Sequence, residues 1–138
     1  MERTTHEPIR VLIVDGDPQV GRALVRLLGS ADDIEVIATA TDEKAALELA
    51  VRLGPAVALV DAGAARMDGM EITRALCQQA PATRVVVLSV YAMFGSQSLA
   101  AGACRFLLKD CGRNELVAAI RLAARGQCQT NGDERPGS

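Results

Sequence analysis

Residues able to take part in chemistry stand where the apolar runs of this sequence end. Four of the five apolar runs end in this way, at Asp15, Asp61, Ser89 and Lys109, and Asp17 follows two residues after Asp15. Clustered carboxylates favour a hard divalent cation such as Mg²⁺. A hydroxyl and an ammonium group can hold the oxygens of a tetrahedral anion. Taken singly, each could be a helix cap or a loop contact. As a set they indicate transfer of a phosphoryl group onto a carboxylate, with Asp61 as the acceptor.

Short apolar runs alternate with helical patterns of about ten residues, which is typical of βαβ units and a parallel sheet. The predicted strands are Ile9–Val14, Ile34–Ala40, 56–61, 84–90 and 104–108. The predicted helices are Pro18–Leu28, a helix capped by Thr41 and running to about Leu53, 70–79, 96–101 and 114–124. Ligands of such α/β sheets bind outside the carboxyl ends of the strands. The four positions should therefore meet at that edge.

The composition fits one domain with an aliphatic core, since aromatic residues make up only 2% of the 138 residues. We predict a loose leader at 1–8, a folded domain at 9–125 and a polar linker or tail at 126–138. The net charge of −2 gives this chain no basic surface for nucleic acid. It has no apolar run long enough for a membrane span and no signal-peptide core, which favours a cytoplasmic protein.

The cysteines follow no recognised metal-binding or redox spacing. They are Cys77, Cys104, Cys111 and Cys128, and the one histidine, His6, stands in the leader. We therefore expect reduced thiols that are buried or inactive, and no zinc site.

The sequence has no glycine-rich nucleotide loop, so the phosphoryl donor should lie outside this domain. In order, the segments IRVLIVDGDP, PAVALVDAGAARMDGMEITR, ATRVVVLS, AGACRFLLKD and NELVAAIR span most of the chain. With them the chain resembles the receiver domain of bacterial two-component response regulators, and within that family the NarL/FixJ type.

The resemblance implies a flavodoxin-like, doubly wound (βα)5 fold with strand order 2-1-3-4-5. It implies that Asp61 accepts a phosphoryl group from a histidine of a sensor kinase. Ser89 and Lys109 would bind the phosphoryl oxygens, and Phe106 would be the switch aromatic. Mg²⁺ would be the cofactor, held by the carboxylates of Asp15 and Asp61 and the backbone carbonyl of Gly63.

The sequence departs from the family pattern most clearly after the first strand. The family's second acid, a direct metal ligand, is replaced by Gly16, so binding of Mg²⁺ should be weak. Asp17 is close enough to be considered as a ligand, but its position before Pro18 favours a helix cap. Ala64-Ala65 replace the usual Met-Pro, and Val90 replaces a small residue beside the phosphorylation site.

The resemblance favours a phosphoacceptor signalling domain with at most slow self-dephosphorylation. We expect it to form the N-terminal part of a transcriptional regulator whose DNA-binding domain lies outside this chain. Homodimerisation is allowed, and no membrane partner is expected. An atypical receiver that acts as a protein-interaction module without regulated phosphorylation is the alternative, and Gly16 favours it. A flavodoxin-like enzyme ranks third, because the required cofactor loop is not seen.

Overall fold

Five parallel strands form one sheet in the order β2-β1-β3-β4-β5, as the family resemblance implies. This computed structural model describes residues 7–62 and 68–130. The strands are β1 (Ile9–Val14), β2 (Ile34–Ala40), β3 (Val57–Asp61), β4 (Arg84–Ser89) and β5 (Arg105–Leu108). The helices are α1 (Pro18–Leu28), α2 (Glu43–Leu53), α3 (Gly69–Gln79), α4 (Phe94–Ala100) and α5 (Arg113–Ala124), with a short 3₁₀ turn, Lys109–Cys111, before α5.

Both faces of the sheet are buried, which explains why the central strands are largely apolar. Alternate residues of β1 point to opposite faces. Val11 and Ile13 join the core under α1 and α5, and Leu12 and Val14 join the core under α2 and α3. All four are at most 1% exposed. The core is aliphatic on both sides, as the composition indicates.

Aspartates begin the first three helices. Asp17 accepts from the backbone N–H of Gln19 at 2.9 Å, and Asp68 accepts from Met70 and Glu71 at 3.1 Å. The prediction that Thr41 caps α2 is wrong: Asp42 directly precedes the helix and accepts from the N–H of Ala45 at 2.8 Å. Each such cap contributes about 1 kcal/mol. Together they fix where the loops at the carboxyl edge of the sheet turn into helices.

Two glycines set the close geometry around α2 and α3. Gly54 ends α2 in the left-handed conformation, with φ of 60°. Gly69 begins α3 against Ala62, where an added Cβ would lie 2.7 Å from the Ala62 Cβ. Only glycine lets α3 start this close to the end of β3.

The expectation of four reduced thiols is wrong for one pair, because Cys104 and Cys128 form a disulfide. The bond joins the residue before β5 to a segment beyond α5, 24 residues later in the chain. Cys77 and Cys111 are free and partly buried. Sequence spacing cannot show this pairing, since it depends on the chain returning to β5 after α5 has ended. Within the described residues, no helix is both long and apolar enough to cross a bilayer.

Candidate functional site

The carboxyl edge of the sheet brings together the four side chains singled out in the sequence. Asp15 follows β1, Asp61 ends β3, Ser89 ends β4 and Lys109 follows β5. Neighbouring strands pair Asp61 with Leu88 and Ser89 with Leu108, so Ser89 and Asp61 end adjacent strands at nearly the same level. Asp15, Asp61 and Ser89 are buried, at 2%, 4% and 0% exposed.

Lys109 is the counter-ion of Asp61. Its Nζ lies 2.5 Å from Asp61 Oδ2, and its side chain is 29% exposed while that of Asp61 is 5% exposed. A buried carboxylate needs such a partner, because an isolated charge in the interior is strongly unfavourable. The ammonium group is carried on a flexible four-carbon side chain. It can therefore follow the Asp61 oxygen if that oxygen becomes part of an acyl phosphate.

Asp15 is held less completely than Asp61. Its Oδ1 accepts from the backbone N–H of Asp17 at 2.8 Å. Its Oδ2 is the one buried side-chain nitrogen or oxygen among residues 7–62 and 68–130 that has no hydrogen-bond partner. A buried polar atom without a partner is costly, and such an atom often marks a place for a ligand. Here it is a carboxylate oxygen, the kind of ligand that Mg²⁺ binds.

Burial is the main cause that raises the pKa of Asp15, to about 7. A side-chain interaction with Asp61 that favours the protonated carboxyl is the next cause of the raised pKa, and the charge of Asp61 adds to it. The Asp17 N–H and the charge of Lys109 act in the opposite direction. The two carboxyl groups are thus close enough to influence each other, as expected of a site that binds a cation or shares a proton.

Ser89 is fully buried at the end of β4. Its Oγ accepts from the backbone N–H of Tyr91 at 3.0 Å. A hydroxyl that accepts one bond can still donate its own proton. The following residues are open to solvent, with Val90 61% exposed and Tyr91 53% exposed.

The positions that follow the first and third strands differ in what they offer a metal ion. Asp17 is exposed and caps α1, which is the role that the sequence favours. Gly16 is buried and brings no side chain. Gly63, expected to offer its carbonyl, lies outside the described residues, as do Ala64 and Ala65. Among the residues that are described, no three acidic, histidine or cysteine side chains are grouped to hold a metal ion.

Phe106 lies in the middle of β5. It is partly buried, and its ring packs beside Gly95 of α4, where an added Cβ would be 3.4 Å from the ring. Its backbone N–H donates to Gln129 Oε1 at 2.7 Å. No sequence pattern indicates this role for Gln129, because it stands in a polar segment without periodicity.

Comparisons with known proteins identify the family to which this chain belongs. Residues 11–121 match the family model of the response regulator receiver domain. The chain is 36% identical over 126 residues to the transcriptional regulatory protein LiaR of Bacillus subtilis, covering 86% of this chain and 57% of LiaR. It is 37% identical over 121 residues to the response regulator GacA of Pseudomonas protegens, covering 86% of this chain and 57% of GacA. The chain thus spans less than two thirds of the length of these relatives.

Solved structures show the same fold. The signal receiver domain of a putative NarL response regulator from Mycobacterium tuberculosis superposes with a TM-score of 0.79 at 36% identity, covering 87% of this chain and 98% of that one. A LuxR-family two-component response regulator from Aurantimonas sp. SI85-9A1 gives a TM-score of 0.80 at 27% identity, covering 92% of each chain. With the sheet order and the family match in agreement, this chain belongs to the receiver domains of two-component response regulators, and it is similar to those of NarL-type transcriptional regulators.

Proposed function

We propose that this receiver accepts a phosphoryl group on Asp61 from a phosphohistidine of a sensor kinase. The observation that carries the proposal is the buried Asp61 carboxylate, paired with Lys109 at 2.5 Å and flanked by Ser89 on the next strand. A carboxylate oxygen of Asp61 bonds to phosphorus as the bond from phosphorus to the histidine nitrogen breaks. Lys109 stabilises charge on the transferred oxygens, and the Ser89 hydroxyl donates to one of them.

The donor set fits a weakly held Mg²⁺. Asp15 and Asp61 would hold it, and the unpartnered Oδ2 of Asp15 supports this assignment. When bound, the cation would neutralise charge on the phosphoryl oxygens. Gly16 cannot add a third carboxylate, and Asp17 already caps α1. We therefore assign Asp17 to the cap, and the backbone carbonyl of Gly63 is the further ligand that the family resemblance proposes.

Phosphorylation would act on the surface formed by α4 and β5. The new phosphoryl group would draw the Ser89 hydroxyl toward it, and Phe106 beside Gly95 would move in response. The phosphorylated receiver must last long enough to carry a signal, so we propose that it removes its own phosphoryl group slowly at most. We place the partner kinase's phosphohistidine and this domain in the cytoplasm. Homodimerisation through the altered surface is part of the same proposal.

DNA binding is assigned to residues outside this chain. The regulators that it resembles are longer than it, and a net charge of −2 offers no basic surface to the phosphates of DNA.

The test is the intact mass of the protein after incubation with acetyl phosphate and increasing Mg²⁺. We expect one added phosphoryl group that hydroxylamine removes, because an acyl phosphate is labile to that nucleophile. Asp61→Asn should abolish the gain. Asp42→Asn, at an exposed helix cap outside the site, is the matched control and should keep it. A protein that gains no mass at any Mg²⁺ concentration, or an Asp61→Asn variant that gains it, would overturn the proposal.

A further inference from the structure

The segment 127–130, which we call the C-terminal segment, turns back after α5 and lies along the start of β5. The Arg105 side chain donates from Nη1 to the Gln127 carbonyl at 2.8 Å. The Gln129 N–H donates to the Cys104 carbonyl at 2.7 Å. Cys128, between them, is bonded to Cys104. Three consecutive residues are therefore fastened to the same short stretch of the domain.

The C-terminal segment covers an edge of the sheet. β5 is an outer strand, so one side of its backbone has no neighbouring strand to pair with. The Gln129 side chain fills part of this role, since its Oε1 accepts from the Phe106 N–H at 2.7 Å. The segment thus holds the backbone of the same residue whose ring packs beside Gly95 of α4.

The two sulfurs of the disulfide differ in exposure. Cys104 is only 3% exposed and belongs to the core under α5, whereas Cys128 is exposed. An external thiol or disulfide can therefore reach Cys128 first, with Cys104 as the inner partner. The other two thiols are poorly suited to react, because burial raises the pKa of both Cys77 and Cys111.

We propose that Cys104 and Cys128 form a reversible thiol–disulfide site that fastens the C-terminal segment to β5. In its oxidised form the site holds the start of the chain that follows α5 against the domain. In its reduced form the segment loses this covalent attachment and detaches. Disulfides of proteins in reducing compartments are commonly transient and redox-sensing, which fits a site with one accessible sulfur.

The co-reactant is a low-molecular-weight disulfide, and the exchange balances. The Cys128 thiolate attacks the external disulfide, forming a mixed disulfide and releasing one thiolate. The Cys104 thiolate then attacks the Cys128 sulfur and displaces the second thiolate. Two protein thiols are oxidised, one external disulfide is reduced to two thiols, and the protons of Cys104 and Cys128 pass to the products. Reduction runs the same steps backwards, beginning with attack of an external thiolate on the exposed Cys128.

Detachment of the C-terminal segment would change the surroundings of Phe106. Loss of the bond from the Phe106 N–H to Gln129 frees the outer side of β5 next to α4. The oxidation state of Cys104 and Cys128 therefore sets two properties together. It decides whether the C-terminal segment is attached to the domain, and how firmly β5 is held. This inference stands independently of phosphorylation at Asp61.

The first test locates the bond and its reversibility. The full chain is equilibrated with mixtures of glutathione and glutathione disulfide, free thiols are alkylated, and the protein is digested with trypsin without reduction. We expect peptide 85–105 to be linked to peptide 126–138 in oxidising mixtures and separate in reducing ones. If no mixture links these peptides, or if Cys77 or Cys111 takes the place of either cysteine, the assignment is wrong. A link that glutathione never opens would overturn its reversibility.

The second test measures attachment by hydrogen exchange. In the oxidised protein, the amides of Phe106 and Gln129 should exchange slowly. Reduction of the disulfide, or substitution of the exposed Cys128 (Cys128→Ser), should speed their exchange by about tenfold or more. The reason is that loss of the covalent tether lowers the local concentration of the C-terminal segment beside β5. Cys111→Ser is the matched control and should exchange like the unsubstituted protein. Equal protection in the oxidised protein and in Cys128→Ser would show that the disulfide does not hold the segment.

Discussion

The two ends of the sheet treat their polar groups in opposite ways. At the carboxyl edge, Asp15 and Asp61 are buried carboxylates served by one lysine, and an oxygen of Asp15 has no partner. At the amino edge, the buried Thr83 hydroxyl donates to the Pro55 carbonyl at 2.8 Å, and the C-terminal segment is held by hydrogen bonds and a disulfide.

The amino edge also carries a two-point ion pair. Arg121 of α5 donates from Nε and Nη2 to the two carboxylate oxygens of Asp33, at 2.7 and 2.9 Å. The groups that hold the fold together and the groups proposed for phosphoryl chemistry therefore lie at different ends of the same strands. The amino edge pairs its polar groups within the protein, whereas the carboxyl edge leaves one buried carboxylate oxygen, Asp15 Oδ2, without a partner.

The largest change in the free energy of unfolding should come from replacing the Asp15 carboxylate, which has an oxygen without a partner. The pKa of Asp15 rises from its ordinary value of 3.8 to about 7 in the folded protein. Between those values the unfolded chain has lost a proton that the folded protein keeps, so stability falls as pH rises through this window. Below it both states are protonated and the penalty vanishes. In metal-free buffer, Asp15→Asn should stabilise the domain by roughly 2 kcal/mol at pH 8 and flatten its pH dependence.

Urea unfolding between pH 4 and pH 8 measures this effect. Asp17→Asn is the matched control, because asparagine also caps helices well, and its stability at pH 8 should stay close to that of the unsubstituted protein. If Asp15→Asn leaves the pH dependence of stability unchanged, the Asp15 carboxylate does not lower the stability of the domain.

A smaller effect is expected from adding a carboxylate at the carboxyl edge. Gly16→Asp adds a carboxylate beside Asp15 in a buried position, so it should worsen the charge repulsion without metal and relieve it with metal. We expect Mg²⁺ affinity to rise about tenfold, which corresponds to about 1.4 kcal/mol. Isothermal titration with Mg²⁺, alongside Ala92→Asp in the β4–α4 loop as a control, measures it. Unchanged affinity would mean that Gly16 does not explain a weak site.

The smallest effect should come from the amino edge. Asp33→Asn removes the charge of a pair whose side chains are 43% and 38% exposed, so solvent already screens it. We expect a loss of about 0.5–1 kcal/mol in thermal or urea unfolding, reduced further at high salt. Phosphorylation of Asp61 by acetyl phosphate should stay the same. A change in phosphorylation would break the proposed separation of the two ends.

Much of this architecture follows from the sequence. The bounds of β1, α1 and β2 match the predicted ones, and the other elements differ by a residue or two, because alternating strands and helices impose clear periodicities. The four residues at the strand ends meet because parallel strands end at one edge. Their chemical types were sufficient to indicate phosphoryl chemistry.

Other features depend on tertiary contacts that leave no local pattern. Thr41 and Asp42 are both good caps, and only the exact start of α2 decides between them. Cys128 and Gln129 stand in a polar stretch that resembles any linker, and their contacts depend on the chain returning to β5. The missing partner of Asp15 Oδ2 is a property of the packed interior.

Helix α4 is short and has no N-terminal side-chain cap, so it should be easier to rearrange than the other helices. The helix has seven residues, and no side chain caps its N-terminus. So short a helix is barely stable by itself and depends on its neighbours. The exposed Tyr91 and Met93 precede it, so rearranging them gives up little buried area. We therefore expect that rearranging α4 and the residues before it costs little free energy, which makes this region the expected place for a shape change if Asp61 is phosphorylated.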